Sequence, residues 1–262
     1  MSSRFFSFRR AFVGGFCAIL LPVSPCAAST SDSEDAAQSI VSPEQDEWAG
    51  KPVMTAEHVQ GMVVARLHNA PRLGEKAPPF SLPEAATGKV LSLAELHADK
   101  PVVLYFLSYS CHVPHETAGF FASLHERYRQ VANFAAVYIQ EAHPEGGFEP
   151  AMGQERFVIP APRSFGQRAE AALRYAVEKN LPFPMLVDSM DDSLAVRWGA
   201  WPVRIFVVGR DGTVLYAGQV GPWFFKPVAN YDANLFGTPR SYENLPGYSR
   251  ESLEEFLRAL GK

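Results

Sequence analysis

The chain has 262 residues, 47% of them hydrophobic, which is enough for one sizeable globular core with extensions. Charged residues make up 20%, the formal net charge is −4 and there is no long basic run, so nothing in the composition points to nucleic acid as a partner. The first 28 residues carry Arg4, Arg9 and Arg10, then an apolar stretch from Ala11 to Val23 and the small residues Ala27 and Ala28. That is the layout of an export signal, with Arg9-Arg10-Ala11-Phe12-Val13 resembling the bacterial twin-arginine type, and the apolar stretch is short for a membrane span. The expected location is the periplasm, with membrane attachment only if this segment stays uncleaved. Its removal takes away three arginines and no acid, shifting the charge from −4 to −7, and also removes Cys17 and Cys26. Cys111 would then be the sole thiol, with no partner in its own chain for a disulfide.

Residues 29–70 are rich in Ser, Asp, Glu, Gln and Ala and read as a flexible polar tether with a short helix near 55–67. From Pro71 the texture changes, and 71–262 reads as one domain. Short strands are expected at 78–82 and 90–93 around the Thr87-Gly88 turn. Pro101 to Leu107 is a continuous apolar run, as in a central strand buried on both faces. Phe120, Leu124, Tyr128 and Val131 recur at helical spacing, so 114–131 reads as an amphipathic helix with Pro114 in its first turn. Phe134 to Ile139 is a second buried strand, and a strand–helix–strand unit of this length implies a parallel pair. A proline- and glycine-rich insertion spans 144–163, followed by a helix over 164–180, a strand at 185–187 and a short helix over 191–198 ended by Gly199. Strands at 204–208 and 214–217 flank Arg210-Asp211-Gly212, a hairpin signal. A second insertion rich in aromatics covers 221–248. Ser252 and Glu255 then offer a capping box to a closing helix. This order is that of the thioredoxin fold: a three-layer α/β sandwich with a mixed parallel and antiparallel central sheet, and with Trp201-Pro202 where that fold places its cis-proline.

Three chemistries are open to Cys111. As a small apolar residue it would be core, since free cysteine is often buried. With His112, His115 and His143 it offers ligand types that suit copper or zinc. As a nucleophile it has the best position, following the carboxyl end of a central strand and preceding a helix. Backbone N–H groups and the helix dipole there favour a thiolate and are expected to lower the pKa from ~8.5 towards ~4–7. Ser108-Tyr109-Ser110-Cys111 has the Ser-x-x-Cys spacing in which a hydroxyl can bond the thiolate, and no Cys-x-x-Cys pair is present. Glu141 and His143, at the end of the neighbouring strand, add a carboxylate and an imidazole to the same sheet edge.

The stretch Val137-Tyr138-Ile139-Gln140-Glu141-Ala142-His143-Pro144 resembles the iodothyronine deiodinases and their bacterial relatives, a family with the thioredoxin fold. Further likenesses are Ile159-Pro160 with Arg163-Ser164, Val187-Asp188 with Met190-Asp191, Trp198-Gly199-Ala200 with Arg204, and Gly221-Pro222-Trp223-Phe224. The resemblance implies that Cys111 stands where animal enzymes carry selenocysteine. Ser108 and Ser110 would be its hydroxyl neighbours and Glu141 and His143 a proton-relay pair. Arg204 would be a charge facing the site and Tyr138 a packing or hydrogen-bonding member; Pro202 is more typical of redoxins than of deiodinases, and Tyr138 and Pro202 are expected to be the substrate-binding residues. Cysteine in place of selenocysteine implies slower dehalogenation. Tyr109 replaces a second cysteine found in many members, so an external thiol reductant would be needed. Pro162 occupies the place of a substrate-binding histidine, and His112 and Val113 replace two prolines. The reading is a thiol-dependent oxidoreductase acting on a peroxide or a halogenated aromatic small molecule, with no cofactor and no metal, and compatible with a homodimer. The alternatives are a copper-binding module on the same scaffold, or a non-catalytic binding domain built on the 221–248 aromatics.

Overall fold

The computed structural model describes residues 46–149, 156–219, 221–222, 224–231 and 246–262. The expected export signal and residues 29–45 lie outside this set. The central sheet has the order β5-β4-β3-β6-β7. β3 (Val102–Leu107) is buried at every residue and lies in the middle, as its unbroken apolar run requires. It pairs in parallel with β4 (Asn133–Tyr138), which pairs in parallel with β5 (Met185–Val187). On its other side β3 runs antiparallel to β6 (Arg204–Val208), and β6 antiparallel to β7 (Val214–Ala217). The unit β4-β3-β6-β7, with a helical crossover between β3 and β4 and a hairpin at its end, is the thioredoxin topology.

The crossover is α3 (His112–Tyr128), which starts two residues before the predicted helix, so that Cys111 itself becomes the N-cap. Val113, Thr117, Phe121 and Leu124 recur along one side and are buried, and Phe121 stacks on Tyr105 of β3 with centroids 3.7 Å apart. α4 (Phe165–Glu178) turns Arg168, Ala172 and Tyr175 inward. α5 (Ser193–Trp198) ends at Gly199, whose φ of 54° is left-handed. A Cβ there would come within 2.8 Å of the Ala70 Cβ, so both the turn and the packing call for glycine. The capping box at Ser252 and Glu255 opens α6 (Leu253–Leu260) as expected.

The short strands flank the Thr87-Gly88 turn as expected, while their separation from the main sheet, a short helix after them and the packing of residues 46–70 go beyond the sequence reading. β1 (Ser81–Pro83) and β2 (Val90–Ser92) pair with each other as a separate hairpin, joined to the main sheet by a single bridge from Glu84 to Leu186. A four-residue helix, α2 (Leu93–Leu96), follows directly on a capping box at Ser92. More substantially, residues 46–70 are packed against the domain rather than a free tether, with the short helix expected near 55–67 in place. α1 (Ala56–Leu67), capped by Thr55, packs onto the domain; Val53 and Met62 are fully buried, and Arg66 makes a buried 2.7 Å ion pair with Asp46. Polar composition concealed this because the segment's few inward groups include an ion pair, which reads as solvated until its partner is known. Among the described residues no helix is long and apolar enough to cross a membrane.

Candidate active site

The site lies at the carboxyl ends of β3 and β4, where both chains turn away from the sheet. After β3 the segment Ser108–Cys111 leads into α3, and after β4 the segment Ile139–Pro144 runs beside it. Parallel register places Leu107 opposite Tyr138, so the two segments leave the sheet side by side. They are sewn together by hydroxyls. Ser110 donates to Glu141 Oε2 from its backbone nitrogen at 2.8 Å and from its Oγ at 2.6 Å. The Tyr138 hydroxyl donates to Glu141 Oε1 and accepts from the Tyr109 backbone N–H at 3.1 Å. Ser108 Oγ accepts from the Ala142 N–H at 3.2 Å, and Ser110 Oγ from the His143 N–H at 2.9 Å. Ser108, Ser110, Tyr138 and Glu141 are all buried. Three side chains singled out from sequence, Ser110, Tyr138 and Glu141, thus meet in one web, with Ser108 tying the adjacent Ala142 backbone and Cys111 following Ser110 in the chain.

The state of Cys111 differs from expectation. Its side chain is 1% exposed, and burial pushes the thiol up to about 12. One backbone N–H, that of Val113, acts in the opposite direction, while the carboxylates of Glu141 and Glu116 raise the value further. The helix N-terminus alone does not lower a thiol's pKa where water is excluded and the charges within reach are negative. Glu141 is also raised by burial, against the lowering hydrogen bonds from Ser110 and Tyr138. In this resting state the thiol keeps its proton.

The histidines divide into separate roles. The His143 Nδ1 lies 3.0 Å from the Phe148 carbonyl oxygen, so its proton sits there and Nε2 is the basic nitrogen. Burial pushes His143 down to about 4, and Phe148 stacks on its ring. His115 turns away to the Tyr109 carbonyl oxygen at 2.6 Å and stacks on Phe157 with centroids 3.4 Å apart; burial also brings it to about 4. His115 and His143 are thus oriented by different carbonyls, through one ring nitrogen each. Among the described residues no cluster of three or more His, Cys, Asp or Glu is placed to hold a metal.

Arg204 is not at the thiol. It pairs across the sheet with Phe106, whose ring contacts Trp198 and Phe206, whereas the next residue, Tyr105, faces α3. Arg204 therefore lies on the opposite sheet face from α3, donating to the Gly218 and Gly199 carbonyls at 2.8 and 3.0 Å. It ties the end of α5 to the end of β7. The Trp201–Pro202 peptide is cis and lies one residue before β6, as the fold reading expected. Tyr138 is fully buried inside the hydroxyl web, which leaves it a positioning role rather than a substrate contact.

Sequence reasoning missed two groups. Arg168 donates to Asp192 at 2.8 Å, and Asp192 accepts from the Gly50 N–H at 2.8 Å, so one buried ion pair ties α4 and α5 to the N-terminal segment. The signal was a charged residue sharing a helix face with Ala172 and Tyr175. Tyr109 packs edge-on against His115 and Tyr175, with its hydroxyl on Glu178 at 2.9 Å. Of the 221–248 aromatics, Phe225 and Tyr248 are buried and Tyr231 packs on Phe120 and Phe225. These described aromatics pack into the fold, and Phe224 is half-buried; Trp223, Phe236 and Tyr242 lie outside the described residues.

The comparisons with known proteins bear directly on this site. Residues 42–230 match the family model described as iodothyronine deiodinase, which takes in Cys111 and the whole Tyr138–Pro144 segment. The chain belongs to the iodothyronine deiodinase family. Similar relatives include the type II iodothyronine deiodinase of Petromyzon marinus, 32% identical over 143 residues, covering 54% of this chain and 48% of that protein. The type I iodothyronine deiodinase of Xenopus laevis is 30% identical over 132 residues, covering 50% of each chain. This deiodinase-family chain spans about half the length of those curated relatives. Among solved structures, an uncharacterized conserved protein from Geobacillus kaustophilus aligns over 69% of this chain and 87% of its own, with 21% identity and a TM-score of 0.46. Peroxidoxin BcpB from Mycobacterium tuberculosis aligns over 55% of this chain and 83% of its own, with 22% identity and a TM-score of 0.40.

Proposed function

We propose that this protein is a thiol-dependent oxidoreductase that reductively dehalogenates an iodinated or brominated aromatic substrate, with Cys111 as halogen acceptor. The observation that carries the reading is the Glu141 carboxylate, held by Ser110 and Tyr138 at the segment leading to the N-capping thiol, in a chain of the deiodinase family. The Cys111 sulfur attacks the ring-bound halogen, a sulfur–halogen bond forms as the carbon–halogen bond breaks, and the ring carbon takes up a proton. An external thiol then displaces halide to give a mixed disulfide, and a second thiol releases Cys111 with its proton restored. The balance is one carbon–halogen bond reduced for two external thiols oxidised to a disulfide.

Both ends of the reaction need a proton handler. Glu141 suits it because burial raises its pKa above that of an exposed glutamate, which makes the ionised carboxylate a stronger proton acceptor. His143, neutral and with Nε2 unprotonated, is the second base on the same segment. Ser108, Ser110 and Tyr138 act as positioning residues. The same reading places the protein outside the cytoplasm through residues 1–28, where the reductant would be an exported thiol. Peroxide is the competing substrate, for which the first product would be a sulfenic acid.

The test is mass spectrometry of the Cys111 peptide after exposure to 4-iodophenol or to hydrogen peroxide, each without added thiol. Trapping of the oxidised sulfur with dimedone, coupled to release of phenol only in the iodophenol arm, supports dehalogenation. Sulfenic acid from peroxide with no phenol formed from iodophenol transfers the function to peroxide reduction. An unmodified Cys111 in both arms refutes the enzyme reading.

A further inference from the structure

Glu141 and His143 lie on one segment after β4, and residues 50–53, which lead into α1, run along it. The Gln140 side chain, buried and next to Glu141 in the chain, donates from Nε2 to the Lys51 carbonyl. Two residues on, the Val53 carbonyl accepts from the Phe148 N–H at 2.9 Å. Gly50 joins the same run to the start of α5, donating from its N–H to Asp192 at 2.8 Å. Val53 is fully buried, so this run belongs to the core rather than to a free end.

Phe148 is where the run meets the chemistry. Its carbonyl oxygen lies 3.0 Å from His143 Nδ1, and its ring stacks on the imidazole with centroids 5.5 Å apart. The backbone of one residue thus accepts from His143 and donates to Val53. The turn that aims this carbonyl passes through Gly147, whose N–H donates to the Pro144 carbonyl at 2.8 Å. A Cβ on Gly147 would stand 2.5 Å from the Val53 oxygen and 2.7 Å from Pro144 Cγ, so residues 51–53 lie this close only because position 147 has no side chain. The consequence for His143 is a choice of tautomer. A neutral imidazole carries one ring proton, and the hydrogen bond the ring makes decides which nitrogen keeps it. Free histidine prefers that proton on Nε2. A fixed acceptor at Nδ1 reverses the preference and leaves Nε2 ready to take up a proton.

We propose that residues 50–53 serve the site as a buttress: they fix the Phe148 carbonyl and through it hold His143 in the tautomer whose Nε2 is a base. They act through another residue and touch no substrate, so they are positioning residues. The proposal rests on His143 serving as a base in the dehalogenation, but its primary readout is the tautomer and not turnover. In full-length protein carrying isotope-labelled histidine, long-range nitrogen–proton correlation spectra at neutral pH distinguish the protonated from the unprotonated ring nitrogen. Signals lost in His143→Gln assign the residue. The wild type should show the proton on Nδ1. Gly147→Ala, which forces the Val53 contact apart, should move the tautomer ratio toward Nε2 by about 2- to 10-fold, the range for one hydrogen bond. Val53→Ala and Gln140→Leu loosen the run away from the His143 ring and should shift the ratio in the same direction by less. In all three, kcat for halide release from 4-iodophenol should follow the Nδ1-protonated fraction with KM little changed. A wild-type proton on Nε2, or a ratio unmoved in the folded Val53→Ala and Gln140→Leu proteins, overturns the proposal whatever happens to their melting temperatures. A ratio that moves with kcat constant supports the buttress and removes His143 from the reaction. Halide release absent in the wild type sinks the enzymatic reading and leaves the tautomer result to decide the buttress.

Discussion

Replacing Glu141 by Gln separates the chemistry of the site from its architecture. The carboxylate accepts three hydrogen bonds, two from Ser110 and one from Tyr138. A glutamine of the same shape keeps both Ser110 bonds if its oxygen faces that residue, and its amide group then meets the Tyr138 hydroxyl. That hydroxyl already accepts from the Tyr109 N–H, so it can accept again from the amide, but its own proton is left without a partner. An orphaned buried donor costs about 1–3 kcal/mol. Against this stands relief from a buried charge, since Glu141 is raised by burial and Gln resembles its protonated form. The two effects oppose each other, and the melting temperature is expected to move by no more than about 5 °C. The sign with pH follows from the raised pKa. The Glu141 contribution is present in acid and lost as pH rises through the folded value, so the wild type loses stability relative to Glu141→Gln as pH increases. Turnover responds differently: loss of a positioned proton carrier costs about 10²- to 10⁴-fold in kcat, with little change in KM. Halide release from 4-iodophenol with excess dithiothreitol, run beside thermal melts at several pH values, measures both. A folded Glu141→Gln protein with kcat within about threefold of wild type would refute the assignment of Glu141 to the proton transfer.

Three further outcomes are expected. Asp188 is buried, capping α5 through the Leu194 and Ala195 N–H groups, and burial raises it to about 6. Its contribution is complete near pH 4 and lost by pH 6, a decline of about 3 kcal/mol that chemical denaturation should find in the wild type and not in Asp188→Asn. Asp46→Ala strands the buried Arg66 charge and should cost about 3–5 kcal/mol, lowering the melting temperature by about 10 °C; a change under about 1 kcal/mol would mean that residues 46–70 do not pack as described. Native Cys111, raised to about 12, should react with iodoacetamide at pH 7 at least about 10³-fold more slowly than in denaturant, and equal rates would refute its burial.

Much of this was legible in the chain. Val102–Leu107 announced a central strand because only a strand covered on both faces tolerates six consecutive apolar residues. Ser252 with Glu255, and Gly199 after Trp198, announced the helix ends by their local chemistry. The gathering of Ser108, Ser110, Tyr138 and Glu141 could be anticipated because parallel strands deliver their following segments to the same edge. What the chain did not disclose depends on distant partners. Arg204 looks like a site cation until the sheet register puts it on the face away from α3. Asp46 and Arg66 look solvated until α1 brings them together. The Cys111 thiol looks activated by its helix until water is counted out of its surroundings and Glu141 and Glu116 are counted in. Burial and net local charge are sums over the whole fold, and no single stretch of sequence carries them.

The most direct test of the central claim is the release of iodide from 4-iodophenol by the full-length protein with excess dithiothreitol, compared among wild type, Cys111→Ser and a Cys17→Ser, Cys26→Ser double variant. The wild type and the double variant should release iodide, and Cys111→Ser should fall to the uncatalysed rate. Release that persists in Cys111→Ser, or that is lost only when Cys17 and Cys26 are replaced, would contradict the claim.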